Sequence, residues 1–64
     1  MKRKYYVKFP PTNQMSTIDY VVTETTMESK EEQALWHYNR SREHDGFPPL
    51  TRLPAGVKFT ERFD

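Results

Sequence analysis

Apolar and polar residues alternate with a period of two in three segments of the chain. The first is Arg3–Phe9, the second spans residues 17 to about 25, and the third spans residues 57–63. Successive side chains of a strand point to opposite faces, so this alternation of aromatic and β-branched residues predicts three half-buried β-strands. The residues predicted to face the core are Tyr5, Val7, Phe9, Ile18, Tyr20, Val22, Val57 and Phe59.

Between the second and third strands, residues 29–44 carry the signals of one α-helix. Ser29 followed by Glu32 has the spacing of a capping box, in which the serine hydroxyl accepts a hydrogen bond from the Glu32 N–H. Gly46 is predicted to end the helix, because glycine adopts the left-handed conformation at little cost. Pro48 and Pro49 then prevent the helix from resuming.

The apolar stripe of this helix is narrow. At 3.6 residues per turn, Ala34, Leu35, Tyr38 and Met27 are predicted to lie on the side that faces the sheet. Trp36 projects from nearly the opposite side. A large aromatic residue outside the stripe is the most informative feature of the helix for function.

The element order β-β-α-β predicts the α+β class. A right-handed crossover through the helix places the third strand beside the first, which gives a three-stranded antiparallel sheet with strand order 2-1-3. One helix then covers one face of the sheet and leaves the other face open. The second and third strands are predicted to be exposed edges, through which a homodimer could pair.

Composition narrows the class of protein further. Sixty-four residues make a single domain, 1–64, and a chain of this length hides only about 60% of its unfolded surface. Hydrophobic residues are only 34%, but an aromatic content of 14% and a net charge of +1 favour a folded domain over a disordered chain. We therefore expect an aromatic core of marginal stability, completed by self-association or by a partner.

The chain contains no cysteine, which excludes disulfides, thiolate zinc sites and cysteine nucleophiles. A small protein without disulfides suits a reducing compartment. No apolar run approaches the roughly 20 residues of a membrane-spanning helix, and the first residues lack the apolar core of a signal peptide. We expect a cytoplasmic protein that does not associate with membranes.

Trp36 and Arg40 are the first candidates for a binding site, because tryptophan and arginine contribute most of the energy at many protein interfaces. Two interpretations of Trp36 stay open: the proline-rich loop after the helix covers the indole, or the indole contacts a partner. Both hold if the loop and the indole form one apolar patch. The candidate protein-binding residues are Trp36, Arg40, Phe47, Pro48, Pro49, Leu50 and Leu53.

The open face of the predicted sheet is the second candidate. Cations interleaved with an aromatic ring suit a phosphate backbone and a stacked base, although Lys, Thr and Arg are also ordinary residues on a solvated sheet face. The candidate nucleic-acid-binding residues are Lys4, Tyr6, Lys8, Lys58 and Arg62.

The remaining motifs indicate neither a metal site nor catalysis. His37 and His44 are seven positions apart, so about 10 Å of helix separates them and one metal ion cannot reach both. Ser41 follows His37 by one turn, but no orienting acid or oxyanion donor accompanies this pair. We expect no cofactor and no enzymatic activity.

Taken together, these features favour a small non-catalytic accessory or regulatory protein, of the kind found in phages and mobile elements, that binds another protein or a second copy of itself. The alternative is a nucleic-acid-binding module that uses the open face of the sheet.

Overall fold

The structure, a computed structural model that describes residues 3–62, confirms the predicted α+β architecture. Strand β1 is Arg3–Phe9, strand β2 is Ile18–Glu24, helix α1 is Lys30–His44 and strand β3 is Lys58–Glu61. The first residue predicted for the third strand, Val57, precedes β3, and Phe63 lies outside the described residues.

The sheet has the order β2-β1-β3 with both neighbouring pairs antiparallel, as predicted. Strand β1 is central and pairs along its whole length with β2, from Arg3 opposite Glu24 to Phe9 opposite Ile18. The shorter β3 pairs with β1 from Tyr5 opposite Glu61 to Lys8 opposite Lys58. This register places the alternating apolar residues of all three strands on the face under the helix.

The core forms where the helix crosses β1 and β2. Its buried hydrophobic side chains are Tyr5, Val7, Phe9, Met15, Val22, Ala34 and Tyr38. The rings of Phe9 and Tyr38 are stacked, with centroids 4.0 Å apart and an interplanar angle of 4°. The other residues predicted to face the core are partly buried around this cluster: Ile18, Tyr20, Val57 and Phe59.

Met15, in the loop between β1 and β2, also belongs to this core. The loop turns back on itself, because Thr12 N–H donates to the Met15 carbonyl (2.8 Å) and Met15 N–H donates to the Thr12 hydroxyl (2.9 Å). This turn directs the Met15 side chain inward, where it is only 5% exposed.

Both predicted ends of the helix are confirmed. The Ser29 hydroxyl accepts a hydrogen bond from the Glu32 N–H at 3.1 Å. At the other end, Phe47 N–H donates to the Arg42 carbonyl and Gly46 N–H donates to the Glu43 carbonyl. This is the pair of bonds of a Schellman motif, and Gly46 takes the left-handed conformation that the motif requires, with φ of 85°.

The predicted apolar stripe of the helix is confirmed for Ala34 and Tyr38, whereas Leu35 is only partly buried and is not packed against the core cluster. The prediction was wrong for Met27. Met27 is 90% exposed, because the helix begins at Lys30 and Met27 lies in the preceding turn. That turn is closed by hydrogen bonds from the N–H groups of Met27 and Glu28 to the Thr25 hydroxyl. The sheet-facing side of the helix instead includes Arg42, which is buried.

The amino end of the helix lies beside β2, and the Lys30 side chain reaches from there across the sheet toward β3. Lys30 Nζ is 5.1 Å from the centre of the Tyr5 ring and 5.6 Å from that of Phe59. Its ammonium group donates to the Glu31 carboxylate (3.1 Å), which raises the pKa of Lys30 and lowers the pKa of Glu31. Both groups therefore stay charged, and the lysine ammonium group itself lies over the two aromatic rings.

The two glycines give a direct test of this backbone. Ala at Gly46 should lower the free energy of unfolding by about 1 kcal/mol, since the left-handed conformation is strained for any residue with a Cβ. No atom lies within 4 Å of the added Cβ, so backbone strain is the whole effect. Thermal unfolding should show a decrease of about 4–8 °C in melting temperature.

Gly56→Ala is the matched control. Its φ is 88°, but here the added Cβ would also lie 3.3 Å from the Pro10 ring. The melting temperature of Gly56→Ala should therefore fall below that of Gly46→Ala. If Gly46→Ala were as stable as the wild type, the helix end described here would be contradicted.

Candidate functional site

Trp36 lies on the outer side of the helix and is 55% exposed. The Arg40 guanidinium lies over its ring at 5.0 Å, and the His37 ring meets it edge-on with centroids 5.0 Å apart. The indole sits between two shallow depressions, one bordered by Glu28 and Glu32 and the other by Arg40 and Glu43. Trp36 and Arg40 thus form a preassembled cation–π pair on an exposed surface.

The proline-rich loop does not cover this indole. Phe47, Leu50 and Leu53 are partly buried against the core, whereas Pro48 and Pro49 are exposed. The seven residues predicted to bind a partner protein are therefore divided. Trp36 and Arg40 lie on the outer side of the helix. Phe47, Leu50 and Leu53 pack against the core instead.

Two side-chain amides hold the backbone of neighbouring segments against the helix. The Asn39 amide donates to the Leu50 carbonyl (3.0 Å) and accepts from the Leu50 N–H (2.8 Å). The Gln33 amide does the same for Thr23 in β2, accepting from its N–H at 3.1 Å and donating to its carbonyl. We call these two arrangements the amide clamps; each reproduces the pair of bonds that a neighbouring strand would make.

Both outer strands were predicted to be exposed edges, but the Gln33 clamp covers part of the β2 edge. It occupies the outward N–H and carbonyl of Thr23, and the helix packs against β2 over this region. A second chain therefore cannot pair with β2 along its full length. Side chains that occupy edge groups are a known protection against edge-to-edge aggregation.

The open face of the sheet is formed as predicted. The register places Lys4, Tyr6 and Lys8 of β1 beside the outward residues of β2 and β3. Tyr6 and Val21 are opposite each other and about half exposed, and the Arg62 guanidinium lies 4.7 Å from the Tyr6 ring centre. The five residues predicted to bind nucleic acid therefore share one surface: Lys4, Tyr6, Lys8, Lys58 and Arg62.

One pair on this face has an unfavourable electrostatic arrangement. Lys8 and Lys58 are directly opposite each other on neighbouring strands, and both are exposed. Like charges in this position destabilise a sheet. Asp19, opposite Lys8 on the other side, is the single carboxylate among the described residues of this face.

The histidines do not come together. His37 is stacked on Tyr20 with ring centroids 5.5 Å apart, and Ser41 shares a 2.5 Å hydrogen bond with the Tyr20 hydroxyl. His44 is at the exposed carboxyl end of the helix. Within residues 3–62 there is no cluster of three or more side chains suited to hold a metal ion.

The burial of Arg42 was not predicted from the sequence. Arg42 is 6% exposed and connects two loops, donating from Nε to the Pro48 carbonyl (2.8 Å) and from Nη1 to Gln14 Oε1 (3.2 Å). The only signal in the sequence was its place at the margin of the apolar stripe, beside Tyr38 on the helix.

No protein-family model, curated protein or solved structure matches this chain. Among the described residues, no helix has the length and apolar content needed to span a bilayer.

The amide clamps should each protect one segment from hydrogen exchange. Gln33→Ala should speed exchange of the Thr23 amide by about fivefold or more, because its N–H loses an acceptor worth roughly 1 kcal/mol or more. Asn39→Ala should do the same for the Leu50 amide. Both can be followed by two-dimensional NMR.

Each variant is the control for the other. If both substitutions accelerate Thr23 and Leu50 equally, the effect is global destabilisation and the clamps are not local. Gln33→Ala should also increase self-association in sedimentation experiments, since it uncovers an edge of the sheet.

Proposed function

We propose that this protein is a non-catalytic binding protein that docks on a partner protein through Trp36 and Arg40. The observation that supports this function is the exposure of the single tryptophan of the chain, 55%, with a guanidinium already placed over its ring. A tryptophan outside so small a core leaves a large apolar surface in contact with water, unless the surface of a second protein covers it.

The gain from covering the indole is large enough for an interface anchor. A tryptophan side chain can bury roughly 200 Å², so about 100 Å² remains available here. At about 25 cal/mol per Å², a partner that covers this area gains roughly 2–3 kcal/mol. This is the range of hot-spot residues in interfaces.

The surroundings of Trp36 define the chemistry of the partner. Glu28, Glu32 and Glu43 border the indole, against one cation, Arg40. A complementary surface therefore has an apolar pocket for the indole and basic residues around it. The same carboxylates disfavour nucleic acid at this surface, because they repel phosphates.

Trp36→Ala should abolish capture of the partner protein while changing the melting temperature by only a few degrees, because the side chain contributes little to the core. The matched control is Tyr6→Ala, which removes an aromatic residue of similar exposure, 49%, from the opposite face. Affinity capture from the host lysate, with and without nuclease treatment, followed by mass spectrometry, measures both.

Binding can also be followed directly, since Trp36 is the only source of tryptophan fluorescence. A purified partner should shift its emission to shorter wavelength as the indole leaves water. If Trp36→Ala captures the same proteins as the wild type, the Trp36 surface is not the docking site.

The open face of the sheet supports a second candidate function, binding of single-stranded nucleic acid. The observation in its favour is the opposed pair Lys8 and Lys58, which an anion between them would stabilise. Tyr6, with Arg62 over its ring, provides an aromatic and cationic surface on which a base can stack.

Lys58→Glu should change stability and nucleic-acid affinity in opposite directions. The substitution replaces a like-charge pair by an opposite-charge pair, so the free energy of unfolding should rise by about 0.5 kcal/mol. Affinity for an oligonucleotide should fall, and the wild-type affinity should decrease with salt with a logarithmic slope of about −3 for four cations.

Arg52→Glu is the control, because it makes the same change of net charge at an exposed position in the loop before β3. If both variants reduce oligonucleotide affinity equally, binding depends only on net charge and not on the sheet face. If no oligonucleotide binds the wild type at low salt, the sheet face is only a solvated surface.

A further inference from the structure

A cleft opens on the side of the helix where the two loops meet. The loop between β1 and β2 contributes residues 12–14, the helix contributes Tyr38 and Arg42, and the proline-rich loop contributes Leu50 and Pro54. At about 100° of rotation per residue, Tyr38 and Arg42 are roughly 120–160° around the helix from Trp36. The cleft is therefore distinct from the proposed docking surface.

Arg42 is a buried cation without a carboxylate partner. Among the described residues, none of the ion pairs involves its guanidinium, which is held by the Pro48 carbonyl, Gln14 Oε1 and, at 4.0 Å, the Met15 sulfur. The Phe47 ring lies 5.5 Å from the guanidinium. These contacts use Nε and Nη1, and no described residue accepts a hydrogen bond from Nη2.

This arrangement is unusual for a buried arginine. Removing a guanidinium from water costs several kcal/mol, and a carboxylate that accepts two parallel hydrogen bonds is its ordinary compensation. Neutral acceptors hold Arg42 in position but leave its charge unbalanced. Nη2 is not enclosed, so water can accept from it. An anion that reached Nη2 from the cleft would replace this water and would supply the missing negative charge.

Tyr38 gives an independent indication at the same place. It is 1% exposed, and its hydroxyl is the one buried side-chain polar atom without a hydrogen-bond partner in the described part of the chain. A phenylalanine would stack on Phe9 equally well, so the hydroxyl adds nothing to the core. Leaving it unpaired costs about 1–3 kcal/mol. The hydroxyl is enclosed, but Tyr38 lines the cleft, so a ligand oxygen that displaces the atoms around it would recover this cost.

We propose that this cleft binds a carboxylate, with the Arg42 guanidinium and the Tyr38 hydroxyl as its donors. A single cation and a neutral donor balance a monoanion, whereas a phosphate dianion needs more positive charge than the cleft provides. The polar residues 12–14 border one side of the cleft, and Leu50 and Pro54 offer apolar contact for the carbon skeleton of the ligand.

Two sources can supply this group, a small organic acid or a carboxylate of a protein chain. The test uses sodium acetate as the probe for the first. For the second it uses a short peptide with a free carboxyl terminus, compared with the same peptide amidated. Binding is followed by two-dimensional NMR of the full chain, including the Arg42 Nε–H signal, with sodium chloride at equal ionic strength as the reference.

Acetate should shift the signals of residues 12–15, 50–54 and Arg42 Nε–H in a saturable manner, and chloride should not. Tyr38→Phe should weaken this binding by about tenfold or more, because one hydrogen bond to a charged group is lost. Its melting temperature in chloride should equal or exceed that of the wild type. Arg42→Lys, which keeps the charge but loses the planar fork, should also weaken binding.

The outcomes are distinct. Binding of the free peptide but not the amidated one assigns the cleft to a protein carboxylate, and binding of acetate alone assigns it to a small acid. If acetate shifts these signals no more than chloride does, the cleft holds only water. If Tyr38→Phe binds acetate as tightly as the wild type, the hydroxyl is not a donor and the proposal is wrong.

Discussion

The stacking of Tyr38 on Phe9 is the contact on which the arrangement of the molecule depends. Phe9 lies on the central strand, and its ring is 4.0 Å from that of Tyr38 in nearly parallel orientation. Ala34, one turn earlier, is fully buried, and its small methyl side chain lets the helix approach the sheet closely. Together they fix both the height of the helix above the sheet and its rotation about its own axis.

The rotation of the helix about its axis determines which of its side chains face solvent. With Ala34 and Tyr38 directed inward, Trp36 must point outward, and its exposure follows from the same packing that forms the core. The outward position of Trp36 is predictable from the sequence, because helical periodicity alone separates it from the apolar stripe. The strands, their order and the open face are predictable as well, since alternation and a single helical crossover leave few arrangements.

The contacts of the loops could not be predicted in the same way. Periodicity shows which residues are buried in regular elements, but not which polar side chain reaches which backbone group across the fold. The clamps of Gln33 and Asn39 and the contacts of Arg42 join residues that the loops bring together. Met15 entered the core and Met27 left it for the same reason, because local turns redirected them.

The small size of the domain explains why polar side chains make so many of the contacts to the loops. A 64-residue domain buries too little apolar surface to hold long loops by hydrophobic packing alone. Here side-chain amides and a buried guanidinium replace the missing secondary structure.

The charges of the molecule are also separated between its two outer sides. Carboxylates border Trp36 on the outer side of the helix, while four cations and one carboxylate lie on the outer side of the sheet. A partner with charges that match one side would be repelled by the other, so under the functions proposed above the two surfaces would select opposite classes of ligand. The aromatic stack fixes the helix on the sheet before any ligand arrives, so binding at either side would cost little conformational entropy.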